Sequence, residues 1–375
     1  MVIVISTAEP SGYLIAEPLR RILSMYATVH YLPSTQKLGP VFGFTQAISK
    51  SAGAARLLLQ AKQEIQSMQP DKVILIGMHG FHTHIGRLCR RRGICTVYLG
   101  APQFWAWGKN RLRGLNQAAS LVICFLPFEE SLLRRAGINA RYLGNPLLDI
   151  VSTTESREQT LARLGLRQTD HYIVFMPGSR RAELAFHIPL FEKVYNCLCK
   201  IGKRKLGCVP PRGVMMLPPP ALTNQPVSTK LTASGNDIIW TWERRYDTMT
   251  HADCAVICSG TATLEAAILG LPMVITYHLH PLDNLMARFL IQTRYFALPN
   301  ILAGRQIVPE FLNPSPQAII DHIIDLLKPN SGTDRTAGKM KQALAEIKNI
   351  LRPYGALHSI AELLTQPSTH FGIDR

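Results

Sequence analysis

Short apolar runs rich in β-branched residues alternate along the chain with segments whose apolar positions recur at helical spacing. This pattern predicts strands at residues 2–6, 28–32, 72–76, 95–99, 121–125 and 140–143, and a second series at 172–176, 213–217, 237–240, 255–257 and 273–276. Helices are predicted between them, among others at 14–23, 54–66, 128–136, 183–199 and 262–269. Apolar strands that alternate with helices are typical of parallel sheets covered on both faces, so we expect an α/β fold.

The strand–helix pattern is interrupted around residues 149–168, which are polar, and then starts again. This predicts two similar α/β domains with a cleft between them. We place an N-terminal domain at 1–165 and a second domain at 166–345. The remaining residues, 346–375, are predicted to form a helical tail that packs back on the N-terminal domain.

Composition and charge narrow the class of protein. The 375 residues include 41 Lys and Arg against 25 Asp and Glu, a net charge of +16, and 47% are hydrophobic, which excludes a disordered chain. The basic excess points to an anionic partner: nucleic acid, a membrane surface or a phosphorylated substrate. We expect no nucleic acid, because the chain has neither a recognised nucleic-acid module nor a basic face with interleaved aromatic residues.

The cysteines and the apolar runs bear on metal binding and on localisation. Several of the eight cysteines lie inside apolar stretches and none shows the paired spacing of a zinc site, so we expect free buried thiols and no structural metal. The first residues lack the basic region of a signal peptide, and no run of about 18 apolar residues occurs. We therefore expect a cytoplasmic protein, either soluble or bound to a membrane surface.

The first candidate site follows the predicted strand at 172–176. Residues 175–183 read Phe-Met-Pro-Gly-Ser-Arg-Arg-Ala-Glu, a turn with Ser179 at the expected N-cap of a helix and Arg180 beside it. Backbone N–H groups at a helix N-terminus, together with an arginine, can bind an anion. The alternative is that Ser179 and Glu183 only cap the helix.

A second turn of this kind follows the predicted strand at 255–257. Ser259, Gly260 and Thr261 are small enough to let a diphosphate approach the backbone, and Glu265 could accept hydrogen bonds from a ribose. Two such turns after strands of one domain favour a nucleotide site. The chain contains neither the P-loop pattern nor the dinucleotide-binding glycine pattern.

Two further groups lie in the N-terminal part. Trp105 and Trp107, followed by basic residues at 109, 111 and 113, could stack a sugar or base, meet a membrane interface, or pack the domain. His79, His82 and His84 follow the predicted strand at 72–76 and suggest a metal site or a proton-transfer site. The alternative is that these histidines are ordinary loop residues.

With these residues identified, the chain resembles the bacterial lipid-A-disaccharide synthase family over residues 1–320. The most specific segments are 101–107, 126–129, 144–149, 177–183, 259–266 and 298–305. The resemblance implies the GT-B fold: two Rossmann-like parallel-sheet domains that face a central cleft, with C-terminal helices closing the structure. It also implies an inverting transfer of a diacylated glucosamine from UDP to diacylglucosamine 1-phosphate, forming the lipid A disaccharide and UDP.

The resemblance further implies how the substrates are bound. The family needs no metal or other cofactor, so Arg180 and the 259–261 turn would stabilise the diphosphate, with Glu265 on the ribose and Asn300 and Arg305 lining the cleft. The partners would be a UDP-sugar donor, an acylated glucosamine phosphate acceptor and an anionic membrane. Trp105, Trp107, Arg90 and Arg91 would face that lipid, at the inner face of the bacterial inner membrane. The sequence is compatible with an oligomer and does not specify the oligomeric state.

The chain departs from the family in the half that would hold the acceptor. The family has Asp-Ala-Pro-Asp-Phe-Asn, with an Asp as the presumed general base, where residues 77–82 here read Gly-Met-His-Gly-Phe-His. The Gly-Glu-x-Ser-Gly-Asp segment becomes residues 8–13, Ala-Glu-Pro-Ser-Gly-Tyr. Three explanations follow: His79 or His82 serves as the base, another acceptor is used, or the chain binds a nucleotide sugar or lipid without turnover.

Overall fold

A computed structural model describes residues 1–36, 52–107, 110–206, 211–218, 238–278, 294–328 and 336–367, with the side chains at 52, 54, 106, 107, 110, 111 and 202–206 left aside. The chain divides into two compact units. Residues 1–150 and the segment from 351 onwards belong to unit 1, and most of residues 151–350 belong to unit 2. The first boundary follows residue 150 in the structure, compared with 165 in the sequence analysis. The second follows residue 350, compared with 345.

Unit 1 contains a six-stranded parallel sheet with the order β2-β1-β3-β4-β5-β6. Its strands are β1 (Val2–Ser6), β2 (Thr28–Tyr31), β3 (Lys72–Ile76), β4 (Cys95–Leu99), β5 (Leu121–Cys124) and β6 (Ala140–Tyr142). We call it sheet 1. β3, β4 and β5 are buried along their whole length, which explains their continuous apolar sequences.

Unit 2 contains a second six-stranded parallel sheet, sheet 2, with the order β12-β11-β10-β7-β8-β9. Its strands are β7 (Tyr172–Met176), β8 (Arg212–Met216), β9 (Ile238–Thr241), β10 (Cys254–Cys258), β11 (Met273–Tyr277) and β12 (Glu310–Leu312). The two sheets confirm the predicted α/β class with two Rossmann-like parallel sheets. β12 was not predicted, because three residues that begin with a glutamate give no apolar run.

Helices connect the strands. They are α1 (Pro10–Leu23), α2 (Pro33–Gln36), α3 (Ala52–Met68), α4 (His79–Arg91), α5 (Phe104–Trp107), α6 (Asn110–Ala118), α7 (Pro127–Arg135), α8 (Leu147–Ile150), α9 (Arg157–Arg163), α10 (Arg181–Leu206), α11 (Arg245–Thr250), α12 (Thr261–Leu269), α13 (Leu298–Ala303), α14 (Pro316–Leu327), α15 (Thr336–Ile350) and α16 (Ala356–Thr365). The histidine segment was expected to be a loop, but α4 begins at His79, because Phe81, Ile85 and Cys89 form a buried stripe at helical spacing.

Sheet 1 is covered on both faces by apolar side chains. Alternate strand residues pack against α3 and α4 on one face and against α1 and α16 on the other. Leu357, Ile360 and Leu364 of α16 are buried in the second of these layers. The buried Lys72 Nζ donates hydrogen bonds to the carbonyl oxygens of Leu364, at 2.6 Å, and of Gln366, which holds the end of α16 on the sheet.

Candidate functional site

The strand order of sheet 2 brings the two glycine-containing turns together. β7 lies beside β10, with Met176 opposite Ile257 at their carboxyl ends. The chain continues from β7 to β8 on one side, whereas β11 lies on the other side of β10. In open parallel sheets, ligands bind outside the carboxyl ends of the strands at such a switch in strand order. The turns at 177–180 and 259–261 both lie at this edge.

The first turn is closed by the carboxylate of Glu183. Its Oε2 accepts hydrogen bonds from the backbone N–H of Ser179 (2.9 Å) and Arg180 (3.1 Å), and its Oε1 accepts from the Arg180 guanidinium (3.0 Å). Gly178 has φ +106, and a Cβ there would approach Glu183 Oε2 to 2.5 Å. Helix α10 begins at Arg181, so Ser179 does not take the N-cap position that the sequence suggested. The Arg180 side chain is 48% exposed and supplies positive charge beside the turn.

The second turn leaves its backbone accessible. Gly260 is exposed, and a Cβ at this position would meet nothing within 4 Å. Thr263 donates to the Gly260 carbonyl through both its N–H and its hydroxyl, which fixes the start of α12. The first N–H groups of a helix have no acceptor within it, so the amides of Thr261 and Ala262 can donate to an anion beside Gly260. Of the two turns, this one leaves its backbone N–H groups more open to an anion.

The charged side chains of the first turn affect the pKa of a thiol that lies beside the second turn. Cys258, at the end of β10, is buried, and burial raises the pKa of its thiol well above the ordinary range. The carboxylate of Glu183 raises that pKa further, whereas the guanidinium of Arg180 lowers it. Both charged groups of the first turn therefore lie near the residue that precedes the second.

Glu265 lies deeper than the sequence suggested. Its carboxylate is 3% exposed and accepts a 2.6 Å hydrogen bond from Arg245 Nε in a partly buried ion pair. Arg245 belongs to α11, directly after β9, and sequence reasoning had missed it. The role of Glu265 on a ribose stays a prediction, and Arg245 is the cation that would share this carboxylate with a sugar hydroxyl.

Asn300 and Arg305 have partners within unit 2. The Asn300 amide is fully buried: its Nδ2 donates to Val308 O and Glu310 Oε2, and its Oδ1 accepts from the N–H groups of Ile307 and Val308. The amide nitrogen and oxygen are therefore both engaged, by the loop that precedes β12 and by Glu310 at the start of that strand. Arg305 is exposed and pairs with Glu346 of α15 at 2.9 Å. Their part in substrate binding stays a prediction.

Sheet 1 has a comparable switch in strand order at β1, which lies between β2 and β3. Gly77 and Met78 follow β3 and have φ values of +69 and +46. For Met78 this left-handed backbone is strained, and such strain is concentrated at functional sites. The Gly77 carbonyl accepts hydrogen bonds from the Tyr98 hydroxyl (2.5 Å) and from His82 Nδ1 (2.7 Å).

His82 is fully buried and uses both ring nitrogens. Because a carbonyl can only accept, Nδ1 carries the proton, and Nε2 accepts a 2.9 Å hydrogen bond from the Ser6 hydroxyl. Burial lowers the pKa of His82 to about 4, so the imidazole is neutral at physiological pH. His79 is partly exposed at the first position of α4, and His84 is exposed. Among the described residues, no group of His, Cys, Asp and Glu could hold a metal ion.

The aromatic segment after β4 forms the short helix α5. The half-buried Trp105 donates its indole N–H to Glu129 Oε1 at 3.1 Å, and its ring packs edge-on against Phe128, with ring centroids 5.5 Å apart. Burial raises the pKa of Glu129 to about 7. The side chain of Trp107 and the residue at 109 lie outside the described residues.

Basic residues cluster at the end of α4. Arg90, Arg91 and Arg92 are exposed, and Arg90 also donates to the carbonyl of Ala119 at 3.1 Å. Arginines in the last turn of a helix are stabilised by the negative end of the helix dipole. Within the described part of the chain, no helix has the length and apolar character needed to cross a membrane.

Comparisons with known proteins agree with this arrangement. The family model of lipid-A-disaccharide synthetase matches residues 23–355. A lipid-A-disaccharide synthase from Syntrophus aciditrophicus is 35% identical over 292 residues, 76% of this chain and 74% of that protein. A lipid-A-disaccharide synthase from Geobacter sulfurreducens is 31% identical over 327 residues, 87% of this chain and 83% of that protein.

Among solved structures, the UDP-GlcNAc 2-epimerase from Neisseria meningitidis bound to UDP-GlcNAc superposes with a TM-score of 0.62 at 14% identity, covering 97% of this chain and 99% of the epimerase. At this level of identity the likeness concerns the fold, and it confirms the GT-B class that the sequence predicted. Family match, sequence identity and fold agree: the chain belongs to the lipid-A-disaccharide synthetase family, the glycosyltransferases of lipid A biosynthesis.

Proposed function

We propose that the protein transfers 2,3-diacylglucosamine from UDP to 2,3-diacylglucosamine 1-phosphate, releasing UDP. The observation that carries the proposal is the open turn at Gly260, next to the Arg180 turn at the switch point of sheet 2. The relatives named lipid-A-disaccharide synthase support the reaction, and the epimerase of the same fold is bound to UDP-GlcNAc.

The donor's diphosphate binds at this switch point. The N–H groups at the start of α12 and the hydroxyls of Ser259 and Thr261 donate to the phosphate oxygens. Arg180 supplies positive charge, and the N–H of Ser179 becomes available if Glu183 turns toward the guanidinium. These donors stabilise the charge that develops on the leaving diphosphate, so the transfer can proceed without a metal ion. Glu265 accepts hydrogen bonds from the ribose, and Asn300 and Arg305 support the loop before β12.

The acylated acceptor binds to unit 1 at the membrane. Arg90 and Arg91 on α4 contact anionic headgroups, and the half-buried Trp105 contributes aromatic surface. The same role for Trp107 concerns a side chain outside the described residues. The protein thus associates peripherally with the inner face of the bacterial inner membrane. A screened charge attraction of this kind weakens with salt, so binding to anionic vesicles should fall as ionic strength rises.

The test is UDP release from the diacylated donor in the presence of the acceptor, together with direct measurement of UDP affinity. Gly260→Leu places a side chain in the open space beside the α12 amides and should lower UDP affinity at least ~10-fold, about 1.4 kcal/mol. Gly260→Ala, which adds one carbon to the same space, is the matched control and should bind almost as well as the wild type. If Gly260→Leu bound UDP as tightly as Gly260→Ala and the wild type, the diphosphate site would be refuted.

The same assay separates the alternatives left open by the sequence. UDP binding without UDP release from this pair would favour a binding protein without turnover. UDP release that depends on a different acceptor would favour a related glycosyltransferase. Both alternatives are motivated by residues 77–82, which lack the carboxylates of the family's acidic segment.

A further inference from the structure

A carboxylate absent from the predicted catalytic set lies at the switch point of sheet 1. Glu9 follows β1 and directly precedes α1, while Gly77 follows β3. β1 and β3 are parallel neighbours, with Ser6 opposite Leu75 near their carboxyl ends. Because the chain leaves β1 toward β2, on the other side, the ends of β1 and β3 border the crevice where an α/β sheet binds its ligand.

The Glu9 carboxylate lies where Gly77 has no side chain, on the side of its Cα that a Cβ would occupy. A Cβ built on Gly77 would be 3.1 Å from Glu9 Oε2 and 3.4 Å from its Cδ. The two residues are partly exposed, so a ligand in the crevice can reach them. The carboxylate of Glu9, between β1 and α1, thus occupies the space that a side chain at position 77 would otherwise fill.

We propose that Glu9 is the general base of the transfer, an assignment that rests on the proposed function. The acceptor hydroxyl oxygen forms a bond to the anomeric carbon of the donor. The bond from that carbon to the diphosphate oxygen breaks, and UDP leaves with the bonding electron pair. Glu9 takes the hydroxyl proton and later releases it to solvent, so charge and atoms balance.

The neighbouring imidazoles are less suited to this role. His82 is buried, and both of its nitrogens are engaged with Ser6 and Gly77. His79 would become a cation at the N-terminus of the 13-residue helix α4, where the helix dipole disfavours positive charge. Glu9 is at the N-terminus of the 14-residue α1, where the dipole favours the ionised carboxylate that a base requires.

The surrounding contacts hold the wall of the crevice in place. His82 and Tyr98 both donate to the Gly77 carbonyl, which fixes the left-handed backbone of Gly77 and Met78 next to Glu9. A base acts efficiently only when it is held within hydrogen-bond reach of the proton it removes. His82 and Tyr98 are therefore positioning residues for the crevice that contains Glu9.

The first test is Glu9→Gln. Loss of a general base should lower kcat about 100-fold or more, and the acid limb of the kcat pH profile should disappear. UDP affinity should stay within twofold of the wild type, because the diphosphate site lies in unit 2. The Glu9 side chain makes no capping hydrogen bond, so α1 should remain folded, which circular dichroism can verify. The matched control is Glu17→Gln, which removes a carboxylate paired with Arg20 on the same helix and should retain wild-type kcat.

The second test is rescue. Glu9→Ala opens the space beside Gly77, and adding Gly77→Asp returns a carboxylate to the same crevice, at a left-handed position that Asp tolerates better than most residues. The double variant should be at least ~10-fold faster than Glu9→Ala, since general base catalysis contributes about 100-fold or more.

The outcomes separate the two claims. If the wild type releases UDP and Glu9→Gln keeps kcat within threefold, Glu9 is not the base, and the proposed function stands. A loss of activity confined to His79→Ala would assign the base to that imidazole instead. If the wild type releases no UDP with the diacylated pair, the proposed function fails, and the base assignment fails with it.

Discussion

Titratable groups in the two units are held by different kinds of partner. In sheet 2, Glu183 is paired with Arg180 and Glu265 with Arg245. In unit 1, His82 is held by a hydroxyl and a carbonyl, and the buried Glu129 by an indole N–H and a backbone N–H. The ion pairs keep positive charge beside the turns proposed to bind a diphosphate, whereas burial favours the neutral forms of His82 and Glu129.

The largest expected effect concerns the pH dependence of stability in unit 1. Burial raises the pKa of Glu129 from its usual 4.5 to about 7, so stability falls as pH rises through that window, where only the folded state keeps the proton. Burial lowers the pKa of His82 from its usual 6.5 to about 4, so stability rises with pH there, because only the unfolded chain is protonated. The two contributions oppose each other and should leave the wild type nearly flat between these limits.

Glu129→Gln removes one of these contributions and tests the comparison directly. The stability of unit 1 should then rise by roughly 3 kcal/mol between about pH 4 and pH 7, from the uncompensated His82. Hydrogen exchange of the amides in β3 and β4 reports this unit separately from unit 2. If the variant remained as flat as the wild type, burial would not lower the pKa of His82 in the folded protein.

A second, smaller effect is the loss of stability in His82→Leu, which distinguishes a structural role of His82 from a catalytic one. His82→Leu should cost unit 1 about 2 kcal/mol, because the Ser6 hydroxyl and the Gly77 carbonyl lose a buried partner. Tyr98→Phe is the matched variant, since its hydroxyl donates to the same carbonyl, and the two costs should not add. Unchanged stability together with lost activity would instead make the imidazole a reacting group.

The smallest effect is expected at the arginine beside the first turn of sheet 2. Arg180→Ala should lower UDP affinity about 10-fold or less, because the guanidinium is half exposed and its attraction is partly screened. Arg167→Ala removes the same charge from an exposed pair with Asp170 and should leave UDP affinity unchanged. Equal affinity in the two variants, measured by calorimetry at low salt, would remove Arg180 from the diphosphate site.

The strands of both sheets could be predicted because burial on both faces demands apolar residues throughout, as in β3 and β10. The start of α4 could not, because glycines at 77 and 80 resemble a loop, and the buried contacts of Phe81 and Ile85 decide the helix. The order of strands is likewise absent from local patterns. Sequence spacing therefore could not show that Glu9, far from Gly77 along the chain, lies against it.

The donor site was easier to predict than the partners of its side chains. Two glycine turns after strands β7 and β10 are visible in the sequence, and the parallel pairing of those strands brings them together. That Glu183 closes the first turn, and that Arg245 reaches Glu265 from another helix, depends on tertiary contacts. A carboxylate and a guanidinium far apart in sequence give no signal of pairing.

Helix α16 sets an order on the synthesis of this protein. It supplies Leu357, Ile360 and Leu364 to one face of sheet 1, whose strands all precede residue 143, so the ribosome translates all of unit 2 in between. Until α16 emerges, that face of the nascent sheet lacks the part of its cover that α1 does not supply, and it offers apolar surface to chaperones or to aggregation. Unit 2 can complete its own core first, and the earlier-made unit 1 is finished later.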